Sequence, residues 1–148
     1  MKKIINAVLL SIIAITLSAC GGDSASGDQG TPTAPIDLGA YPVSNHGGTV
    51  GIAVDSSSGS YYKITSGMNA GGSYTVTLTN TTGNVVLRVF DASNYDFFQI
   101  LCQDLNIIKG DRTCVLDDIS NPKPLNAALY LQVVNVDPSN ASFNISVN

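Results

Sequence analysis

Ser73-Tyr74-Thr75-Val76-Thr77-Leu78-Thr79-Asn80 alternates without a break, with Tyr74, Val76 and Leu78 at one parity and Ser73, Thr75, Thr77 and Thr79 at the other. Successive side chains of a strand point to opposite faces, so this stretch reads as a β-strand with one buried face. The same two-residue period recurs at Tyr62 and Ile64, at Val85, Leu87 and Val89, at Leu129, Leu131 and Val133, and at Phe143, Ile145 and Val147; Thr49 to Val54 is a weaker case. Between these runs stand turn-forming groups: Ser58-Gly59, Asn69-Ala70-Gly71-Gly72, Thr82-Gly83-Asn84, Asn121-Pro122-Lys123-Pro124 and Asp137-Pro138-Ser139-Asn140. No stretch beyond residue 20 holds a 3.6-residue apolar stripe. Short strands about ten residues apart predict an all-β fold, an antiparallel β-sandwich of about eight strands whose sheets hide one face on each other.

Upstream of the strands the chain changes character. Lys2 and Lys3 precede the apolar run Ile4 to Leu17, and the small residues Ser18 and Ala19 lead into Cys20. That is the three-part layout of an export signal. Fourteen helical residues reach roughly 21 Å, short of the roughly 30 Å core that a permanent spanning helix crosses. Removal of residues 1–19 is therefore expected. Leu17-Ser18-Ala19-Cys20 resembles the lipobox of bacterial lipoproteins, which implies diacylation of the Cys20 sulfur and attachment to a membrane through that lipid. Two or three acyl chains at about 0.8 kcal/mol per buried CH₂ hold far more firmly than one myristoyl group. Gly21 stands where Asp would favour inner-membrane retention, so the expected site is the bacterial cell envelope, with the outer membrane favoured.

Residues 20–40 are expected to form a lipidated cysteine and flexible tether. GGDSASGDQGTPTAPIDLGA lacks hydrophobic periodicity and cannot bury enough apolar surface to offset the entropy of ordering. Residues 41–148 are expected to be the sandwich domain. The chain beyond the signal, about 130 residues, suffices for one domain with a core. All 11 acidic residues are Asp, and the whole chain carries a net charge of −4. Loss of Lys2 and Lys3 makes it more negative still. Phosphate backbones need clustered Lys and Arg, so nucleic acid is excluded as a partner.

The segments Tyr61-Tyr62-Lys63-Ile64-Thr65, Gly71 to Leu78, Asn84 to Asp91, Ala128 to Val133 and Phe143 to Val147, in that order and spacing, resemble the bacterial pre-peptidase C-terminal domain. The resemblance spans about Gly48 to Asn148. It implies a β-sandwich or jelly roll of the kind usually appended to secreted proteases and other exported enzymes. Some relatives bind calcium, but the acidic residue that the family often has before the Leu87 strand core is Val86 here. No metal site is expected, and no cofactor. Asp117 and Asp118, with Asp91, Asp96 or Asp111, are the oxygen ligands that a fold would have to gather, and they lack EF-hand spacing.

Cys102 and Cys114 remain after lipidation of Cys20, and an exported domain meets an oxidising compartment. A disulfide is expected between them. Two cysteines and one distant histidine are too few for a tetrahedral metal site, and redox pairs favour C-x-x-C. No catalytic residue is assigned. His46 is the only histidine, placed beside the flexible stretch with no group to orient it. There is no Glu, no H-E-x-x-H and no G-x-S-x-G. Tyr95, Phe97 and Phe98 cluster just before Cys102, and are the candidate ligand-binding residues, as a sugar platform or protein hot spot; the alternative is that Phe97 or Phe98 plugs the open end of the sandwich. The expected protein is a membrane-anchored, non-catalytic envelope lipoprotein presenting a β-sandwich module to a protein or polysaccharide partner. The alternative is a structural envelope lipoprotein without a specific ligand.

Overall fold

Alternation alone builds most of the core. In the computed structural model, which describes residues 30–54, 58–106, 108 and 110–148, Val76, Leu78, Ile145 and Val147 of one sheet face Leu87, Val89, Leu131 and Val133 of the other, all fully buried. Residues of this kind contribute roughly 1.5 to 3 kcal/mol each when taken out of water. The strands are β1 (Ile36–Asp37), β2 (Val43–Val50), β3 (Ser60–Ile64), β4 (Tyr74–Thr79), β5 (Val85–Phe90), β6 (Ile100–Asp104), β7 (Arg112–Leu116), β8 (Leu129–Asn135) and β9 (Ala141–Val147).

They form two sheets, in the orders β1-β3-β8-β5-β6 and β2-β9-β4-β7. Setting aside β1, the chain crosses from one sheet to the other after every strand except β5, which is followed in the same sheet by β6; this is the jelly-roll order, and every pairing among these eight strands is antiparallel. The registers keep like parity together: Val76 lies opposite Val147 and Cys114, and Leu131 lies opposite Tyr62 and Val89. A one-residue slip would turn every one of these side chains to the wrong face.

Three features depart from the sequence reading. The folded domain starts before residue 41. Tyr61 N donates to Gly30 O and Leu38 N to Lys63 O, β1 pairs in parallel with β3, and Ile36 and Leu38 pack against the core. A strand of two residues is too short to show a period, so in sequence this edge looks like tether. Residues 1–29, including Cys20, lie outside the described residues. The strand expected over Thr49 to Val54 instead runs from Val43 to Val50, with a bulge where Asn45 has φ 56°. Its Asn-His-Gly-Gly centre hides the alternation. Finally, β6 and β7, which the sequence reading does not include among the strands, are strands.

The Cys102–Cys114 disulfide is present, with a Cα–Cα distance of 5.8 Å. Cys102 belongs to β6 and Cys114 to β7, the edges of different sheets. The bridge therefore clamps the two sheets at one side of the sandwich.

Candidate functional site

The loop after β5, expected to carry a sugar platform or a protein hot spot at Tyr95, Phe97 and Phe98, is divided by the structure. Tyr95, at φ 51°, turns inward and is only 7% exposed. Its ring meets Tyr61 at 4.7 Å, Phe90 at 5.5 Å and Tyr130 at 5.9 Å, all edge to face. Its hydroxyl donates to Tyr62 O at 3.2 Å. Burial, with Tyr130 and Tyr61 beside it, pushes the Tyr95 phenol well above its ordinary range. Tyr95 is thus the plug of a small second core on the outer face of the five-stranded sheet, and it is unavailable to a ligand. The side chain of Phe97 lies outside the described residues. Phe98 does the opposite of Tyr95: it is 98% exposed, so it does not plug the sandwich end.

Phe98 is held outward by a capped turn. Asp96 precedes the 3-10 segment Phe97–Gln99; its carboxylate accepts from Phe98 N at 2.9 Å, and its carbonyl accepts from Gln99 N at 2.8 Å. A short polar side chain at this position satisfies the first free amide of a helical turn. Across from the turn runs the 122–126 segment, where Leu125 is 83% exposed. Between them lies a groove of about 400 Å³ lined by Phe98, Ile100, Leu101, Pro122, Lys123 and Leu125, with Asp91 and Asn126 at its end. A shallower depression of about 330 Å³ shares Asp91, Ala92 and Asn126 and runs on to Tyr130.

The polar groups of the groove are already engaged. Buried Asp91 accepts from Leu125 N at 3.0 Å and Asn126 N at 3.1 Å, and Asn126 Nδ2 returns a bond to Asp91 O. These bonds fix the far wall against the end of β5. Lys123 is paired with Asp118 at 3.1 Å. The groove therefore offers mainly apolar surface.

Asp117 and Asp118, also considered as metal ligands, serve turns. Asp117 accepts from Ser120 N and Ile119 N, which hold its carboxyl below the usual range, Ser120 first. Asp118 is lowered by the Lys123 amide and then by its side chain. Among the described residues no group of three or more His, Cys, Asp or Glu side chains stands close enough to hold a metal ion. His46, read in sequence as lying beside the flexible stretch, is part of β2, its ring 6.3 Å from that of Tyr62.

The chain is similar to two solved structures. One is the pre-peptidase C-terminal domain of a collagenase from Bacillus anthracis, at 13% identity over 77% of this chain and 94% of that one, with a TM-score of 0.49. The other is Aeromonas hydrophila PliG, a periplasmic lysozyme inhibitor of g-type lysozyme, at 14% identity over 76% of this chain and 100% of that one, with a TM-score of 0.45. No family model and no curated protein matches the chain.

The sequence reading missed Arg112, which is fully buried. Its Nε donates to Val85 O at 2.6 Å, Nη1 to Gly110 O and Asp111 O, and Nη2 to Asn84 Oδ1 and Ile108 O. Val85 opens β5 in the opposite sheet, so this side chain ties β7 and the loop before it to the far layer. The signal was available: Arg112, Cys114 and Leu116 share one parity, and that parity points inward.

Proposed function

We propose that the chain is a non-catalytic envelope lipoprotein, held on a membrane by acyl chains on Cys20, whose sandwich presents the Phe98–Leu125 groove to another protein. The observation that carries this reading is the pairing of two large, exposed apolar side chains across one cleft. Single exposed apolar residues are ordinary, whereas a cleft bearing two of them with satisfied polar groups at its end has the makeup of a protein-contact anchor. A sugar would need free donors and acceptors, and Asp91 and Asn126 are bonded to each other's segments. The groove therefore favours a protein over a polysaccharide. A purely structural lipoprotein leaves the Phe98–Leu125 pair without a purpose. Absence of catalysis is supported by the setting of His46, whose ring packs on Tyr62, and by the lack of Glu. An envelope location, with the outer membrane favoured, rests on the signal-like start and on Gly21.

The test compares the full chain with a Phe98→Ala, Leu125→Ala variant and with Val54→Ala, a residue 88% exposed outside the groove. Each is incubated with envelope extract and with cell-wall polysaccharide. The expected outcome is a protein retained by the parent and by Val54→Ala, with affinity for the double variant at least roughly 30-fold weaker, since anchor truncation costs about 2 kcal/mol or more. Equal retention by all three, or retention of polysaccharide through Phe98 and Leu125, contradicts the reading.

A further inference from the structure

Eight large apolar side chains are exposed among the described residues, and they divide between the two ends of the sandwich. Phe98, Ile119 and Leu125 stand on the β5–β6 and β7–β8 loops, at the end that carries the groove. Ile52, Val54, Leu105, Ile108 and Val136 stand on the β2–β3, β6–β7 and β8–β9 loops at the opposite end, each more than half exposed. One run of bonds gathers these three loops. The Arg112 guanidinium joins Asn84 Oδ1 to Ile108 O, Asn84 O accepts from Val136 N, and Ile52 bridges to Asn135 beside Val136. Single exposed apolar residues are ordinary, whereas five gathered at one end of a domain make a patch that marks a contact.

The route of the chain indicates what covers this end. Tyr61 N donates to Gly30 O, and a Cβ on Gly30 would overlap Tyr61 O and Ile36 N, so the chain is pinned there with no room for a side chain. Tyr61 is the second residue of β3, which starts at the five-residue apolar end, and β1 runs parallel to β3, away from that end. Nine residues separate Gly30 from Cys20. Ten Cα steps reach at most about 35 Å even when fully extended. The end nearest Gly30 therefore stays close to any bilayer that holds Cys20.

We propose that this end docks on the bilayer that holds the Cys20 acyl chains, with Val54 and Ile108 leading into the acyl boundary, so that the Phe98–Leu125 groove points away from the membrane. The docking rests on the lipid-anchored reading above. With the anchor in place, insertion is intramolecular, and a contact too weak to hold a free protein suffices. The charges at this end select the lipid. Asp104 accepts from Asn106 N and Thr113 N, Asp137 accepts from Asn84 N, and Asp111 is exposed. Among the described residues the only cation at this end, Arg112, is buried. Zwitterionic head groups suit such a surface, and anionic ones are repelled.

The chain has no Trp, so a single introduced indole reports alone. The full chain, expressed in bacteria and purified in detergent, is reconstituted into phosphatidylcholine vesicles with or without bromine on the acyl chains. Three variants are compared: Val54→Trp, Ile108→Trp and, at the groove end but outside the groove, Ile119→Trp. The emission of Val54→Trp and Ile108→Trp should shift to the blue and be quenched in brominated vesicles, while Ile119→Trp keeps the emission of a water-exposed indole. Adding Leu105→Asp and Ile108→Asp to Val54→Trp should abolish the shift and the quenching without releasing the protein from the vesicles, because a carboxylate resists transfer out of water. The proposal is overturned by indoles that stay unquenched at Val54 and Ile108, by quenching at Ile119→Trp, or by quenching that survives the two Asp changes. A blue shift without quenching, the sign of a second copy or another protein over this end, also overturns it. In all of these outcomes the protein still floats with the vesicles. Protein that does not float with them contradicts the lipid anchor itself, and the docking falls with it.

Discussion

Arg112→Met should destabilise the domain by about 3 to 5 kcal/mol, measured as a lower midpoint of chemical unfolding with an unchanged slope. Methionine keeps most of the stem volume, so the loss isolates the guanidinium. Its removal takes the donor from five acceptors at once: the carbonyls of Val85, Ile108, Gly110 and Asp111 and the side-chain oxygen of Asn84. Leaving a buried acceptor unmade costs about 1 to 3 kcal/mol, and the carbonyls on the outer side of the loop recover water, which keeps the total below the simple sum. Arg112→Lys should recover only part of the loss, because an ammonium cannot spread five donors over that fork. A loss below about 1 kcal/mol in Arg112→Met, within the range of ordinary surface changes, contradicts the assignment of this side chain as an inter-sheet tie.

Breaking the disulfide with a Cys102→Ala, Cys114→Ala double change should cost roughly 3 kcal/mol, within the 2 to 5 typical of small secreted domains. At about 4 to 8 °C per kcal/mol, the melting temperature should fall by some 12 to 24 °C. The bridge joins β6 to β7, edge strands of different sheets, so its loss restores loop freedom to the unfolded chain, while in the folded domain the central strands β8, β5, β9 and β4 keep their pairings. The variant should therefore stay β-rich. Mass spectrometry of the unreduced, alkylated protein should find the linked peptide pair and no free thiol at either position. Free, reactive thiols in protein taken from the envelope, or a double variant as stable as the parent, would contradict the bridge's role. Arg112 and Cys114 lie two residues apart on β7, so the two losses should not add independently.

The central strands β4 and β9 were legible because each buries one face and leaves the other partly exposed, and β5 and β8 keep a period of two at Val85, Leu87 and Val89 and at Leu129, Leu131 and Val133 although most of both their faces is buried. Where the strand is very short or interrupted, the period disappears. β1 has two residues, β2 carries a bulge and two glycines, and β6 is only half-buried. The aromatic loop shows the limit of reading a site from residue type. Tyr95 and Phe98 stand three residues apart in one polar loop, and only the backbone distinguishes them: a positive φ turns Tyr95 into the second core, while the Asp96 cap holds Phe98 outward. Leu125, the other wall of the groove, comes from a distant turn, so no local pattern joins it to Phe98. Gly47 and Gly48 look alike in a string, and only the neighbours of their missing side chains separate a packing requirement from an open space.

The proposed role, a jelly roll that presents a groove to envelope partners, requires that the chain be delivered to a membrane and kept there, and the proposal assigns that retention to Cys20. Metabolic labelling of growing bacteria with radioactive palmitate, followed by membrane fractionation, tests it most directly. The parent chain should take up label, lose residues 1–19 and sediment with membranes, while Cys20→Ser should take up none and remain unprocessed. A Cys20→Ser chain that still carries label, or a parent chain that is exported without label and recovered free of membranes, contradicts the lipid-anchored account.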